Sequence, residues 1–196
     1  MFEAYPFGYK FTLGGEHIMK KTRGIQFLPK EACFDVMDSP VGNLTIITSP
    51  EGLHAILWDT DVNHLIDEKN SERLIENKKD EIILQTKAQL IEYFTGKRKI
   101  FDLPIVMKGT DFQIQVWQQL LKIPYSQTVS YAEQAARIGN KNKARAVGRT
   151  NGLNPISIVI PCHRVVGSNG SLVGFAGGLS KKDFLLKLEQ KLNHAE

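Results

Sequence analysis

Residues 154–166 read NPISIVIPCHRVV and place Cys162, His163 and Arg164 in succession. A thiol attacks as its thiolate, and neighbouring basic or cationic groups lower its pKa. The apolar run from Ile156 to Ile160 leads into Pro161. That spacing predicts a buried strand ending at the edge of a core, with the thiol at its exit. Taken alone, a cysteine after an apolar run fits inert packing better. Cys-His-Arg after a strand-stopping proline turns the reading towards chemistry, and the rest of the chain has to supply a substrate.

The chain has 196 residues, 42% hydrophobic and 23% charged, enough for one large domain or two small ones. Cys33 and Cys162 are its two cysteines. They imply no disulfide framework, and a reducing interior suits a reactive thiol. No apolar run approaches membrane-spanning length, and the opening residues lack the apolar stretch of a secretory signal. A cytoplasmic protein without membrane association is therefore expected. The net charge of +4 is uneven. Residues 111–196 carry 11 Lys and Arg against 5 Asp and Glu, a balance of +6, whereas the first 110 carry 14 against 16, or −2. A basic half carrying the candidate thiol points to a polyanionic partner, with a solvated basic surface as the alternative.

The elements that must position the thiol follow from periodicity. Residues 1–24 are expected as an extension, 25–105 as an N-terminal α/β domain and 106–196 as a mainly helical C-terminal domain. Alternation in ACFDVM and NLTIITS, with GLHAILW after a turn, predicts β structure over 32–58, with strands near 44–48 and 53–58. Residues 60–80 are polar and read as a loop or exposed helix. Ile82, Ile83, Leu90, Ile91 and Phe94 recur at helical spacing from Asp80 to Phe94, and Gly96 ends that helix. Residues 100–110 read as a linker. A helix over about 111–122, starting at Asp111, would bury Phe112, Val116, Trp117, Leu120 and Leu121. Ser130 and Glu133 form a capping box that opens a helix to about Ile138, Gly139-Asn140 turns, and a third helix covers about 142–149. This is the helix-turn-helix pattern. Five basic residues and no acidic one lie from Arg137 to Arg149, which favours nucleic-acid docking over a hairpin used only for packing. Residues 167–179, GSNGSLVGFAGGL, lack the ending of a phosphate-binding loop and read as a wall that lets backbone approach a ligand. Ser180 and Asp183 are expected to start the last helix, with Phe184, Leu185, Leu188 and Leu192 on its core face. Glu189 beside that face is either a solvated edge residue or a group that orients a histidine.

PCHRV preceded by NPISIVI, the RAVG run at Arg145 and SYAE at Tyr131 together resemble the 6-O-alkylguanine-DNA alkyltransferases, the methylated-DNA–protein-cysteine methyltransferases. The resemblance continues in EYFTGKR, FDLP, the FQxxVW helix, VGFAGGL and the final LLKLE, and covers about residues 32–192. It implies a ribonuclease-H-like N-terminal domain and a C-terminal domain whose helix-turn-helix enters the minor groove of double-stranded DNA. An alkylated guanine would be flipped into a pocket there. Cys162 would take the alkyl group by direct displacement, irreversibly and once per molecule. His163 would remove the thiol proton through a water, and Glu189 would orient it. Arg145 would replace the flipped base in the stack, alongside Lys143, Ala144 and Arg149 on the DNA side. Tyr131 would bond the purine edge, and Asn154 would brace the turn presenting the cysteine. Val165, Ser157, Phe175, Ala176 and Trp117 would line the pocket. The resemblance implies a monomer and no cofactor. Cys33 with His54 and His64 is too thin a ligand set for a closed zinc site, so no metal is expected.

The sequence departs from many relatives at Phe175, where a tyrosine hydroxyl is lost, and at Ser157, where some have a second proline. A smaller and more flexible wall at Ser157 would admit larger alkyl groups. Three other readings compete: an alkyltransferase-like protein that binds damage without transferring, a cysteine hydrolase using Cys162 and His163, and a helix-turn-helix regulator. The first two need Cys162 disabled or redirected, and the third needs no reactive thiol.

Overall fold

β-Branched and aromatic residues at period two make the sheet. In the computed structural model, which describes residues 28–29, 31–62 and 74–193, Cys33–Met37 (β1), Leu44–Ser49 (β2) and Gly52–Trp58 (β3) form an antiparallel meander. A short helix, Asp59–Val62 (α1), follows β3. Ile75–Glu76 (β4) then pairs with β1 in parallel, giving the order β3-β2-β1-β4. The expected extension, residues 1–24, lies outside the described residues. Within the segment read as loop or exposed helix, the described residues hold α1 and β4.

Alternation along β2 and β3 predicts one buried face, yet both strands are buried throughout. Leu44, Ile46, Ile56 and Trp58 join the main core, while Ile47, Ala55 and Leu57 meet a smaller cluster with Ala32, Phe34 and Leu74. His54 is the extra residue of a bulge between the Ile47–Ala55 and Thr48–Leu53 pairs, which brings Leu53 back to the main core.

β3 is the sheet edge, a row of donors and acceptors that needs cover. The second half of the chain supplies it. Leu53 N–H donates to Pro104 O at 2.7 Å and Val106 N–H to Leu53 O at 2.9 Å, so the expected linker is an extended segment bonded to the sheet. Gly52 allows this approach, because its φ is +141° and a Cβ would stand 2.1 Å from Pro104 O. Further along the same edge, Ile56 N–H donates to Pro155 O at 2.9 Å and Ile56 O accepts from Ser157 N–H at 3.2 Å.

The helix Glu81–Phe94 (α2) is capped by Asp80, whose carboxylate accepts from Ile83 N–H, and buries Ile83, Thr86, Leu90 and Tyr93. Ile91, expected inside, is exposed because it lies one position past Leu90 on that stripe. Asp111–Leu120 (α3) starts from a Thr110–Gln113 capping box, one residue before the expected Asp111, and Leu121 beyond its end is exposed rather than buried. Val129–Ser130 (β5) pairs in parallel with Val165–Val166 (β6). Tyr131–Arg137 (α4) opens on the expected Ser130–Glu133 box. A 3-10 turn, Lys141–Lys143, leads into Ala144–Asn151 (α5), so the third helix starts and ends about two residues later than its spacing predicts. The last helix, Leu179–Asn193 (α6), begins ahead of Ser180, which therefore does not cap it. Lys182, Leu185, Leu186 and Glu189 form its buried face, and Phe184, expected in the core, is exposed.

Candidate functional site

The run 156–160 is a buried turn, not a strand. Ile156 makes a single bridge to Ile56, and the chain then reverses, with Ile158 at φ +72°. A β-branched residue in that region is strained, by roughly 1–3 kcal/mol, and persists only where its surroundings hold it. Asn154 does part of the holding. Its Nδ2 donates to Ile160 O at 2.8 Å and its Oδ1 accepts from Ile156 N–H at 3.1 Å, closing the turn from inside. Pro161 follows, and Cys162, His163 and Arg164 form one 3-10 turn, all buried. Cys162 is 8% exposed and outside any disulfide. Ser157, expected as a looser wall, is buried, and its N–H is tied to Ile56 O.

Behind this turn stands Glu189 on α6, fully buried rather than at a solvated edge. His163 Nε2 lies 2.8 Å from its Oε1. Arg164 donates through Nε at 3.0 Å to Oε2 and through Nη2 at 2.9 Å to Oε1. Tyr93 Oη donates to Oε1 and Ser126 N–H to Oε2, each at 2.9 Å. Burial opposes the charged form of Glu189, but the hydrogen bonds from His163 and Arg164 and the Arg164 charge outweigh it and bring its pKa down to about 2. His163 is held below its ordinary pKa by burial, which exceeds the pull of Glu189. The ring is thus neutral beside an ionised carboxylate. Such a carboxylate only accepts, so Nε2 carries the hydrogen and Nδ1 the lone pair. Nδ1 is buried with no hydrogen-bond partner among the described residues, and it sits on the residue next to the thiol.

Two further groups respond to the charge of Cys162. Tyr131, at the start of α4, has its phenol pushed up to about 12, first by burial and then by the Cys162 thiolate. Lys182 on α6 is lowered to about 8 by burial, which the thiolate partly offsets. Lys182 Nζ donates to Val165 O at 2.6 Å and Val173 O at 2.9 Å, and it lies 5.7 Å from the Tyr131 ring centroid. Tyr131 Oη donates to Val173 O at 3.0 Å and Gly174 O at 3.3 Å. The two side chains therefore clasp the middle of the glycine-rich loop, at Val173 and Gly174. Phe175 beyond it is half-buried against Trp58, and Ala176 is exposed.

The structure thus brings Cys162, His163, Glu189, Asn154, Tyr131 and Val165 together. It does not bring Trp117, whose ring is buried and whose Nε1 donates to Thr150 O at 3.1 Å. That indole packs α3 on α5 and is a core residue, not a pocket wall. Arg145, Arg149 and Lys143 are exposed on and ahead of α5, with Ala144 partly buried at its start; Lys143 Nζ lies 5.4 Å from the Phe112 ring centroid. Sequence reading missed Tyr93, Ser126 and Lys182. Ser126 takes φ +61° to aim its N–H at Glu189, a conformation no sequence signal announces. Lys182 stands next to Lys181 at the head of one helix, and only the fold turns one inwards and the other towards Asp59.

Comparison with known proteins bears on both halves. The 6-O-methylguanine DNA methyltransferase ribonuclease-like domain matches residues 33–107, and the DNA-binding domain of the same family matches residues 111–191. A methylated-DNA–protein-cysteine methyltransferase of Methanosarcina barkeri is 44% identical over 163 residues, spanning 80% of this chain and 96% of its own. The constitutive enzyme of that name from Bacillus subtilis is 39% identical over 158 residues, with 80% and 94% covered. The crystal structure of Mycobacterium tuberculosis OGT in complex with DNA superposes with a TM-score of 0.73 at 38% identity, over 82% of this chain and 94% of that one. An N-terminal ribonuclease-like domain followed by a DNA-binding domain is therefore the architecture, and the chain belongs to the 6-O-methylguanine DNA methyltransferase family.

Proposed function

We propose that this protein repairs DNA by moving the alkyl group of 6-O-alkylguanine, and of 4-O-methylthymine, onto its own Cys162. One observation carries the assignment of roles: a neutral histidine, oriented by a buried ionised carboxylate, stands next to the thiol. The Cys162 sulfur attacks the alkyl carbon, and the C–S bond forms as the C–O bond breaks with its electron pair on guanine. The thiol proton passes to His163 Nδ1 through a water, the imidazolium gives it up to solvent, and the departing guanine takes one proton from solvent, so the products are guanine and S-alkylcysteine. Glu189 holds the tautomer this requires. Tyr131, with its phenol at about 12, stays protonated and donates a hydrogen bond to the purine rather than giving up its proton. Doing so requires its hydroxyl to turn from Val173 O and Gly174 O. A thioether does not hydrolyse under ordinary conditions, so each molecule reacts once.

Residues 25–105 are the N-terminal domain, of ribonuclease-H topology, and residues 106–196 the transfer domain. α4 and α5 act as a helix-turn-helix in the minor groove. The exposed Arg145 takes the place of the flipped base while Lys143, Ala144 and Arg149 face the backbone, in a stretch without an acidic residue. Extrusion costs roughly a few kcal/mol, and the inserted side chain offsets it. Val165, Ser157, Phe175 and Ala176 line the pocket. The protein acts as a monomer in the cytoplasm; no helix among the described residues is long and apolar enough to cross a membrane.

Incubation with duplex DNA bearing 6-O-methylguanine, followed by intact-protein mass spectrometry and peptide mapping, tests the reading. One methyl group on Cys162 is expected, and an unmodified protein that still binds the DNA would leave only a damage-binding role. Arg145→Ala should slow repair in duplex DNA more than reaction with the free alkylated base. Equal slowing on both would remove Arg145 from the extrusion step.

A further inference from the structure

The pocket wall at Phe175 belongs to a glycine-rich loop, and what stands behind it comes from the other half of the chain. Trp58, the last residue of β3, is 0% exposed. Its ring meets that of Phe175 with centroids 5.5 Å apart, tilted by 59°. Gly177 lies so close to the indole that a Cβ would fall 2.7 Å from Trp58 Cε2, 2.8 Å from Cδ2 and 3.0 Å from Nε1. On the indole sits the ammonium of Lys181, 5.3 Å from the ring centroid and tied to Asp59 at 2.7 Å. The indole is thus held by its own strand, by the loop and by the head of α6.

The opposite wall hangs on the same strand. Two residues before Trp58, the Ile56 backbone bonds Pro155 and Ser157, the start of the turn that presents Cys162. A strand advances about 3.3 Å per residue, so the two attachment points are separated by roughly 7 Å of stiff, fully buried backbone. The loop, by contrast, contains Gly174, Gly177 and Gly178, and the Tyr131–Lys182 clasp holds it at Val173 and Gly174, on the side of Phe175 away from Gly177.

We propose that Trp58 is a specificity-determining residue, the backstop that fixes how far the Phe175 wall stands from Cys162 and hence how large an alkyl group the pocket accepts. This rests on the alkyl-transfer reading above. The ligand class is the alkyl substituent on the guanine oxygen, from methyl to benzyl. Shortening the backstop lets Phe175 retreat and favours the bulky substituent; pushing the loop off the backstop, towards the thiol, disfavours it.

Rates of transfer from free 6-O-methylguanine and 6-O-benzylguanine, followed by mass spectrometry, test this without involving DNA docking. Trp58→Phe, which keeps an aromatic ring in the core, should raise the benzyl-to-methyl rate ratio about tenfold, the lower end of the range that one methylene of pocket space produces. Gly177→Ala acts from the other face of the same contact and should lower the ratio by a similar factor. Ratios within twofold of wild type in both variants, with wild type transferring normally, would overturn the role of Trp58 and leave the transfer reading intact. A wild-type protein that transfers from neither base nor from methylated DNA would overturn both.

Discussion

Cys33, on β1, and Cys162, behind Pro161, are the two thiols of the chain, and their neighbours differ in sign. Cys33 Sγ lies 3.3 Å from Thr48 Oγ1, which in turn donates to Asp80. Its pKa is raised, chiefly by burial and then by the Asp80 charge, against the lowering pull of the Thr48 hydrogen bond. Cys162 is more deeply buried, yet it sits beside a neutral histidine, and its charge is felt by the buried Lys182. Burial alone disfavours a thiolate in both places. What separates them is that one neighbourhood adds a carboxylate and the other a base and an ammonium, so the thiol proposed as the nucleophile is the less exposed one. Exposure is a poor guide to nucleophilicity here.

The largest effect separates the two thiols outright. Cys162→Ala should reduce alkyl transfer at least about 1000-fold while DNA binding persists, and Cys33→Ser should leave the rate within about twofold, as expected when a single nucleophile carries the covalent step. A methyl group found on Cys33 of wild type would break the contrast. Next comes the carboxylate that orients the base. Glu189→Gln leaves Arg164 buried without its counter-charge, a loss of about 3–5 kcal/mol, and should slow transfer about 100-fold. Its pH signature follows from the depressed pKa. The stability due to Glu189 is present above its ordinary value near 4.5 and is lost as pH falls from there towards about 2. The Gln variant should lack this acid sensitivity in urea denaturation across acidic pH. An unchanged acid slope would assign it to other groups.

A smaller effect comes from the ammonium. Lys182→Met keeps the buried stem but removes the charge, and transfer should fall about tenfold as the thiolate loses a favourable neighbour. Because burial brings Lys182 down to about 8, the wild-type transfer rate should also bend downwards above that pH. The Met variant should show no such bend. If both variants share the same alkaline profile, Lys182 serves the loop at Val173 and not the thiol.

The two thiols also show what the sequence could reveal. Cys-His-Arg behind a proline was readable, as were the Ser130 box and the meander of β1 to β3, because each rests on local spacing. The strand expected before Cys162 was not one: an apolar run reports burial, and here burial comes with a turn closed by Asn154 instead of with strand pairing. Glu189 could be read as either a solvated edge residue or a group orienting a histidine, since it lies 26 positions and a glycine-rich loop away from His163. The covering of the β3 edge by residues 104–106 and 155–157 is a long-range event, and hydrophobic period carries no trace of it. Phe184 shows the converse, because apolar spacing gave it to the core and packing leaves it exposed, whereas the same kind of spacing put Trp117 in the core, where it lies.

The smallest effect tests whether the Asp80 charge contributes to the quiet of Cys33. Asp80 Oδ1 accepts from Thr48 Oγ1 at 3.0 Å and from Ile83 N–H at 2.9 Å, so it both lies near the thiol and caps α2. Asn caps a helix about as well as Asp, so Asp80→Asn removes the charge while its side-chain oxygen keeps both acceptor roles. With the like charge gone, Cys33 should hold more thiolate at a given pH. Its labelling by iodoacetamide near pH 8 should rise about twofold to threefold, since the thiolate is the reacting form. Transfer to Cys162 should not change, because Asp80 touches β2 and α2 and no part of the Glu189 cluster. Labelling that stays at the wild-type rate would assign the inertness of Cys33 to burial alone, the larger of the two causes. Altered transfer would mean that the two thiol sites communicate through the sheet whose edge strand carries Trp58.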